Sequence, residues 1–283
     1  MPGSIHGCAM SRSDPRRRAL LAALVLGALV LLALLGPAAS PYSYRTLDWR
    51  HLAVPPGFVA EHWLGTDALG RDLYVRTLSG LRLSLVIGLL ATLVSVLIGV
   101  AWGAAAGWAG GRIDAGMMRV VDVLYALPYL FIVLILAALF GRGNIAVLLV
   151  AIGAVGWLTL ARVVRAQTRS LKHQAFMEAA RAGGLSGLQM LRRHVLPNLA
   201  GTVAVYATLM VPQMIVYESF LSFLGLGVEP PRASLGSLIN AGARQMLSAP
   251  WLLLVPATVL IVLLLAFNIL GDALRDVLDP RQR

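Results

Sequence analysis

Few residues in this chain have the chemistry for a reaction, and their spacing argues against one. Five histidines (His6, His51, His62, His173 and His194) are scattered through polar segments without metal-ligand spacing, so no metal is expected. A single carboxylate, Glu218, interrupts the apolar run Val216-Tyr217-Glu218-Ser219-Phe220. At mid-membrane a carboxylate costs on the order of 2.5–3.5 kcal/mol, so it must face a bundle interior or an aqueous path. Two roles stay open for it: a place on a translocation path, or a structural hydrogen bond to a neighbouring helix. A proton relay would need further deep acids or histidines, and the apolar runs supply none; Asp122 lies near the end of its run, close to Arg119. No G-x-x-x-x-G-K-[ST] loop occurs, and Lys172 is the only lysine, so the usual phosphate-binding loop is missing. Nucleophile-elbow and HExxH patterns are missing too. The lone Cys8 excludes an internal disulfide. The chain is expected not to be an enzyme.

These residues sit in a chain built for lipid. Only 13% of residues are charged, against roughly 25% in soluble domains, and mean hydropathy is +0.78. Six apolar runs approach the ~20 residues that a spanning helix needs: 19–36, 83–108, 120–140, 145–161, 199–224 and 251–270. The first run, preceded by Arg12, Arg16, Arg17 and Arg18, is longer than a signal-peptide core and reads as a retained helix. All six must be helices, because a lone chain cannot leave backbone groups unpaired in lipid. The fold class is therefore an all-α membrane protein with six transmembrane helices. Its expected divisions are a tail 1–18, a first helix 19–36, an outer segment 37–82, a five-helix core 83–271 and a tail 272–283. With both termini inside, cytoplasmic segments carry 16 of the 24 basic residues, as the positive-inside rule requires. The net charge of +11 then reads as a set of topology signals, and no nucleic acid is expected. Pro128, Pro212 and Pro256 should bend their spans. Gly99, Gly103 and Gly107, at i, i+4 and i+8, should let another helix approach closely.

One cytoplasmic stretch, 162–198, does not belong in a membrane. A helix over 171–182 would place Ala175, Ala179 and Ala182 on one small-residue face, with Glu178 beside it. Gly183-Gly184 should end that helix, and Ser186-x-x-Gln189 should cap a second one. Leu188, Leu191 and Val195 would form the second helix's apolar face, and Pro197-Asn198 would stop it before the fifth span. A helix–turn–helix strapped between two spans can pass a push into the bundle.

Here a resemblance becomes specific. Glu178-Ala179-Ala180, Gly184 and His194-Val195-Leu196-Pro197-Asn198 resemble the EAA loop of binding-protein-dependent ABC importer permeases. Gly183 stands where many relatives carry leucine. Gly65-Thr66-Asp67, Gly70-Arg71-Asp72, 107–114, Leu221 to Gly227 and 268–276 are similar to the second permease subunit of dipeptide, oligopeptide and nickel importers. The resemblance covers most of 15–280. It implies a type I permease fold in a bacterial cytoplasmic membrane, with Glu178, Ala179, Ala180, Gly184, His194, Leu196, Pro197 and Asn198 in the ATPase-coupling loop. It also implies a heterodimer with a related permease, two ATPase subunits that hold ATP and Mg, and an external solute-binding protein. Substrate would be a peptide, a nickel chelate or another small solute. The rival reading, an ion-coupled secondary transporter using Glu218, is opposed by the lack of inverted repeats.

Overall fold

The computed structural model describes residues 15–140 and 144–278. Cys8, Arg12, most of the expected N-terminal tail and residues 141–143 and 279–283 lie outside them. Apart from one isolated bridge between Thr66 and Asp72, the regular structure among the described residues is helical. In chain order the helices are α1 (Pro15–Leu35), α2 (Leu73–Ala109), α3 (Gly111–Ala126), α4 (Tyr129–Phe140) and α5 (Ile145–Lys172). They continue as α6 (Ala175–Ala182), α7 (Gly187–Met190), α8 (Leu196–Phe223), α9 (Leu235–Ala243) and α10 (Trp251–Leu278). Five helical stretches are each long and apolar enough to cross a bilayer: α1, α2, α5, the continuous run from α7 through α8, and α10.

The third expected span is not one helix. Leu127 leaves helical geometry (φ −76°, ψ 132°) because the proline ring that follows disfavours the α region for its predecessor. The chain turns by 86° between α3 and α4, so 120–140 makes a sixth span only as a sharply broken pair. Pro212 and Pro256, by contrast, sit inside helices that continue through them. Elsewhere the helices outrun the apolar runs: α2 has 37 residues and α5 has 28, so both project beyond the expected spans.

Helices in lipid gain little from apolar contact with one another, so close backbone approach carries the packing. Gly99, Gly103 and Gly107 of α2 all face α5 and supply that approach. A Cβ at Gly99 would lie 3.0 Å from Leu160 Cβ, one at Gly103 2.9 Å from Val164 Cβ, and one at Gly107 2.7 Å from the Arg165 carbonyl. α8 packs on the same pair through Met210 and Met214. α1 and α10 pack beside it, with Leu26, Ala33, Leu263 and Ala266 buried between them. α9 is inserted between its neighbours. Leu235 and Leu238 are buried, and Gly236 and Gly242 touch the backbones of Ser219 and Leu252.

The strap 37–72 closes the end of the bundle where α2 begins. Asp72 caps α2 by accepting from the Val75 amide at 2.8 Å. Asp67 accepts from the Leu69 and Arg71 amides and pairs with the Arg71 guanidinium at 2.7 Å. Gly70 adopts φ +71°, and a side chain there would run into the Asp48 backbone.

Gly103→Val should therefore destabilise the protein by about 1–3 kcal/mol through overpacking against α5. Gly201→Ala, with open space around it, should leave stability unchanged. Thermal melts of the two purified variants in one detergent check this; equal midpoints would remove the α2–α5 contact from its central role.

Candidate functional site

α5 does not end where its apolar run ends but continues to Lys172, carrying Arg162, Arg165 and Arg169 on its last turns. His173 and Gln174 break the helix, so α6 begins at Ala175 rather than at Leu171. α6 buries Met177 completely and leaves Ala175, Glu178, Ala179 and Ala182 exposed. Ala180 packs partly inward. The outward surface thus carries small side chains and one carboxylate, with Phe176 and Arg181 also exposed.

α6 ends in a Schellman turn. The Leu185 amide donates to the Ala180 carbonyl and the Gly184 amide to that of Arg181, with Gly184 at φ +79°. Gly183 keeps an ordinary negative φ, so only the second glycine is needed for the left-handed position. The Ser186–Gln189 capping box then opens α7.

The second helix of the loop departs from expectation. Residues Leu191–Val195 form a π turn, and the helix then runs straight into α8. Pro197 does not stop it. Proline has no amide to donate and is tolerated in the first turn of a helical segment, where it sits here. The extra residue in the π turn also shifts the inward face. Met190, Val195 and Leu199 are buried, while Leu188, expected inward, is 57% exposed. Leu196 is exposed and Asn198 donates its side-chain amide to the His194 carbonyl at 2.6 Å. The His194 ring lies 6.2 Å from that of Phe176, linking the π turn to α6.

A buried ion pair braces this loop. Asp114 of α3, 5% exposed, takes both the Nε and Nη2 groups of Arg165, the latter at 2.6 Å, and Arg169 lies 3.7 Å away. Lys172 donates to the Trp108 carbonyl at 2.7 Å, and the Trp108 ring touches Gly187. The end of α2, the start of α3, the tail of α5 and α7 are thereby tied together. Asp114 and Arg165 were not singled out by the sequence reading. The available signal was a basic row at 162, 165, 169 and 172 with one acid just after the double glycine at 110–111.

A cavity of about 360 Å³ lies between α3, α5 and α8. Tyr206, Met210, Gln213 and Tyr217 of α8 share one face toward it, with Tyr125 and Thr159 opposite. No charged side chain lines it. Glu218 is not part of this wall. It lies roughly 100° further round α8 and is 0% exposed. Its carboxylate accepts from Ser84 at 2.8 Å and Ser222 at 2.7 Å, with Ser219 at 3.5 Å. Ser84 in turn accepts from the Leu235 amide, so the group fastens α2, α8 and α9 together. The structural role is the one this geometry fits.

The strap also brings together what spacing did not. Asp48, His51 and His62 place ligand-type atoms within 4.8 Å of one another. The expectation of scattered histidines therefore fails for His51 and His62, whose rings a folded loop brings to 5.9 Å from each other. The His51 contact holds the Asp48 carboxyl down at about 2. A hydrogen bond to Glu61 pushes the Tyr42 phenol up to about 12.

Long helices packed on glycines, with a braced loop at one end and an uncharged cavity between them, describe a multi-pass membrane protein. Residues 95–283 match the family described as binding-protein-dependent transport system inner membrane component, and the chain belongs to that family. It is 49% identical over 276 residues to the oligopeptide transport system permease protein OppC of Escherichia coli (strain K12), covering 95% of this chain and 91% of that relative. To the dipeptide transport system permease protein DppC of Bacillus subtilis (strain 168) it is 42% identical, over 97% of this chain and 85% of the relative. The fold is similar to that of a chain in the inward-facing MetNI methionine ABC transporter. That match has a TM-score of 0.58 and 15% identity, over 72% of this chain and 96% of the other.

Asp114→Asn should cost about 2–3 kcal/mol, less than a fully buried pair because Arg165 keeps solvent contact. Arg165→Met in the same chain should recover part of the loss; a double-mutant cycle on thermal stability reads this coupling. Glu218→Gln should keep the serine contacts and near-normal stability, whereas Glu218→Ala should lower the melting point by several degrees. A Gln variant as unstable as the Ala variant would show that the negative charge, not the hydrogen bonds, matters.

Proposed function

We propose that this chain is a permease subunit of an ATP-driven ABC importer, forming half of the membrane path for di- or oligopeptides. The exposed α6 face carries the reading: Ala175, Glu178, Ala179 and Ala182 turn outward while Met177 anchors the helix. Small side chains admit a partner's groove close to the backbone, and Glu178 supplies a charged contact. Leu188 and Phe176 extend the exposed apolar rim of the same surface. An ATPase subunit would dock there, with ATP and Mg held on that subunit and its twin. A second, related permease completes the path, and an external binding protein delivers the solute. Both termini are cytoplasmic in this arrangement, as the distribution of arginine and lysine favours.

Coupling is a population shift. Closure of the ATPase dimer moves α6 and α7, the Asp114–Arg165 brace carries the displacement to α3 and α5, and the cavity opens to one side or the other. The cavity's uncharged wall suits a substrate class of varied side chains, because it neither repels nor traps a charged peptide. The peptide reading is supported by relatives that transport oligopeptides and dipeptides. Nickel chelates and other small solutes are the alternative cargo. An ion-coupled mechanism through Glu218 is opposed by the enclosure of its carboxylate among serines.

Glu178→Lys should leave folding intact, since the residue is exposed, yet reduce ATP-driven peptide uptake by reconstituted vesicles at least about 10-fold. Gly184→Leu should do the same by forcing a side chain into the left-handed region, at about 1–2 kcal/mol of local strain. Co-purification of the ATPase subunits should fall in parallel. Uptake that survives both changes would displace the docking assignment.

A further inference from the structure

The strap 37–72 holds a group of side chains that the transport reading leaves unused. Asp48 Oδ2 lies 2.8 Å from His51 Nδ1 and 3.5 Å from His62 Nε2. The other nitrogen of His62, Nδ1, lies 2.8 Å from Asp72 Oδ2. His62 is fully buried and its ring stacks on Tyr42 with centroids 4.3 Å apart, so its orientation is set from one face and from the edge that meets Asp72.

This arrangement constrains the proton on His62. Asp72 accepts from Nδ1–H, which turns Nε2 toward Asp48. At 3.5 Å that nitrogen and the Asp48 oxygen are too far apart for a good hydrogen bond. A metal cation can take both atoms as ligands. The three facing atoms have separations of 2.8 Å, 3.5 Å and at most 4.8 Å. A tetrahedral ion with bonds of about 2.0–2.1 Å needs its ligands about 3.3–3.4 Å apart, so small side-chain rotations suffice. Asp48 keeps its second oxygen on the Arg50 amide, which fixes the carboxylate plane.

We propose that Asp48, His51 and His62 form a site for a zinc-class divalent cation, with Asp72 as the carboxylate behind His62. Two imidazoles and one carboxylate select borderline transition metals over magnesium or calcium, which prefer oxygen ligands throughout. Three protein ligands leave a fourth position for water or for a donor from outside the chain. The Asp72–His62 pair is the outer-sphere contact that fixes the tautomer of a metal-bound histidine. Asp72 also caps α2, so a bound ion fastens the strap to the first turn of that helix. The site is independent of the docking loop and of the transported solute.

The test uses the full-length protein without a histidine tag, stripped with chelator and titrated with Zn²⁺ by calorimetry and with Co²⁺ by visible absorption. One ion per chain is expected, with the intense Co²⁺ bands of a low-symmetry, four- or five-coordinate site. His51→Ala and Asp48→Asn, both at partly exposed positions, should each weaken binding at least about 10-fold and abolish the Co²⁺ bands, with the fold kept by circular dichroism. His173→Ala and His194→Ala should bind as the parent does. Zn²⁺ should raise the melting point of the parent and not of the two strap variants. Absence of stoichiometric binding by the parent, or equal affinity in His51→Ala and Asp48→Asn, would overturn the assignment.

Discussion

The contact on which the rest of the structure depends is the near-touching of α2 and α5 along Gly99, Gly103 and Gly107. In lipid there is no water to squeeze out from between helices, so van der Waals fit between backbones must supply the attraction. Once α5 lies against α2, its basic tail is brought beneath the α2–α3 junction. There Arg165 and Arg169 meet Asp114, and Lys172 meets the Trp108 carbonyl. The α6–α7 loop inherits its position from that chain of contacts. The cavity between α3, α5 and α8 inherits its shape from the same packing.

Charged and polar groups in this protein act as fasteners between elements. Glu218 gathers serines from α2 and α8 and, through Ser84, the first amide of α9. Asp72 caps α2 and holds His62. Each group is enclosed and hydrogen-bonded, which is how a bilayer-embedded fold tolerates polarity at all. The cavity between α3, α5 and α8 is left without charged side chains, and the polar inventory is concentrated at the ends of helices.

The π turn at Leu191–Val195 shows how one inserted residue can set a functional surface. It lets the helix carry Pro197 without breaking, and it rotates the inward row to Met190, Val195 and Leu199. Leu188 consequently joins α6's small-residue face on the outside. A continuous helical stretch from Gly187 to Phe223 then connects the α6–α7 surface to the cavity wall at Tyr206–Tyr217.

Local information was legible in the sequence. Apolar length dictates spanning helices, Ser186–Gln189 dictates a cap, and Gly184 dictates a left-handed turn, because each depends on residues a few positions apart. The small-residue stripe on α2 was legible for the same reason, though not the partner it meets. Non-local facts were not legible. Ser84 is 134 residues from Glu218 and Arg165 is 51 from Asp114, and no periodicity encodes such meetings. The sharp turn at Pro128, the π-shifted register before Pro197 and the convergence of Asp48, His51 and His62 likewise depend on how neighbouring elements constrain the chain. By itself the sequence determined a helical membrane protein with a polar helix–turn–helix between two of its spans. Only the packed structure decided which face of that loop is free, which carboxylates are enclosed and which histidines become neighbours, since each is set by contacts between distant segments.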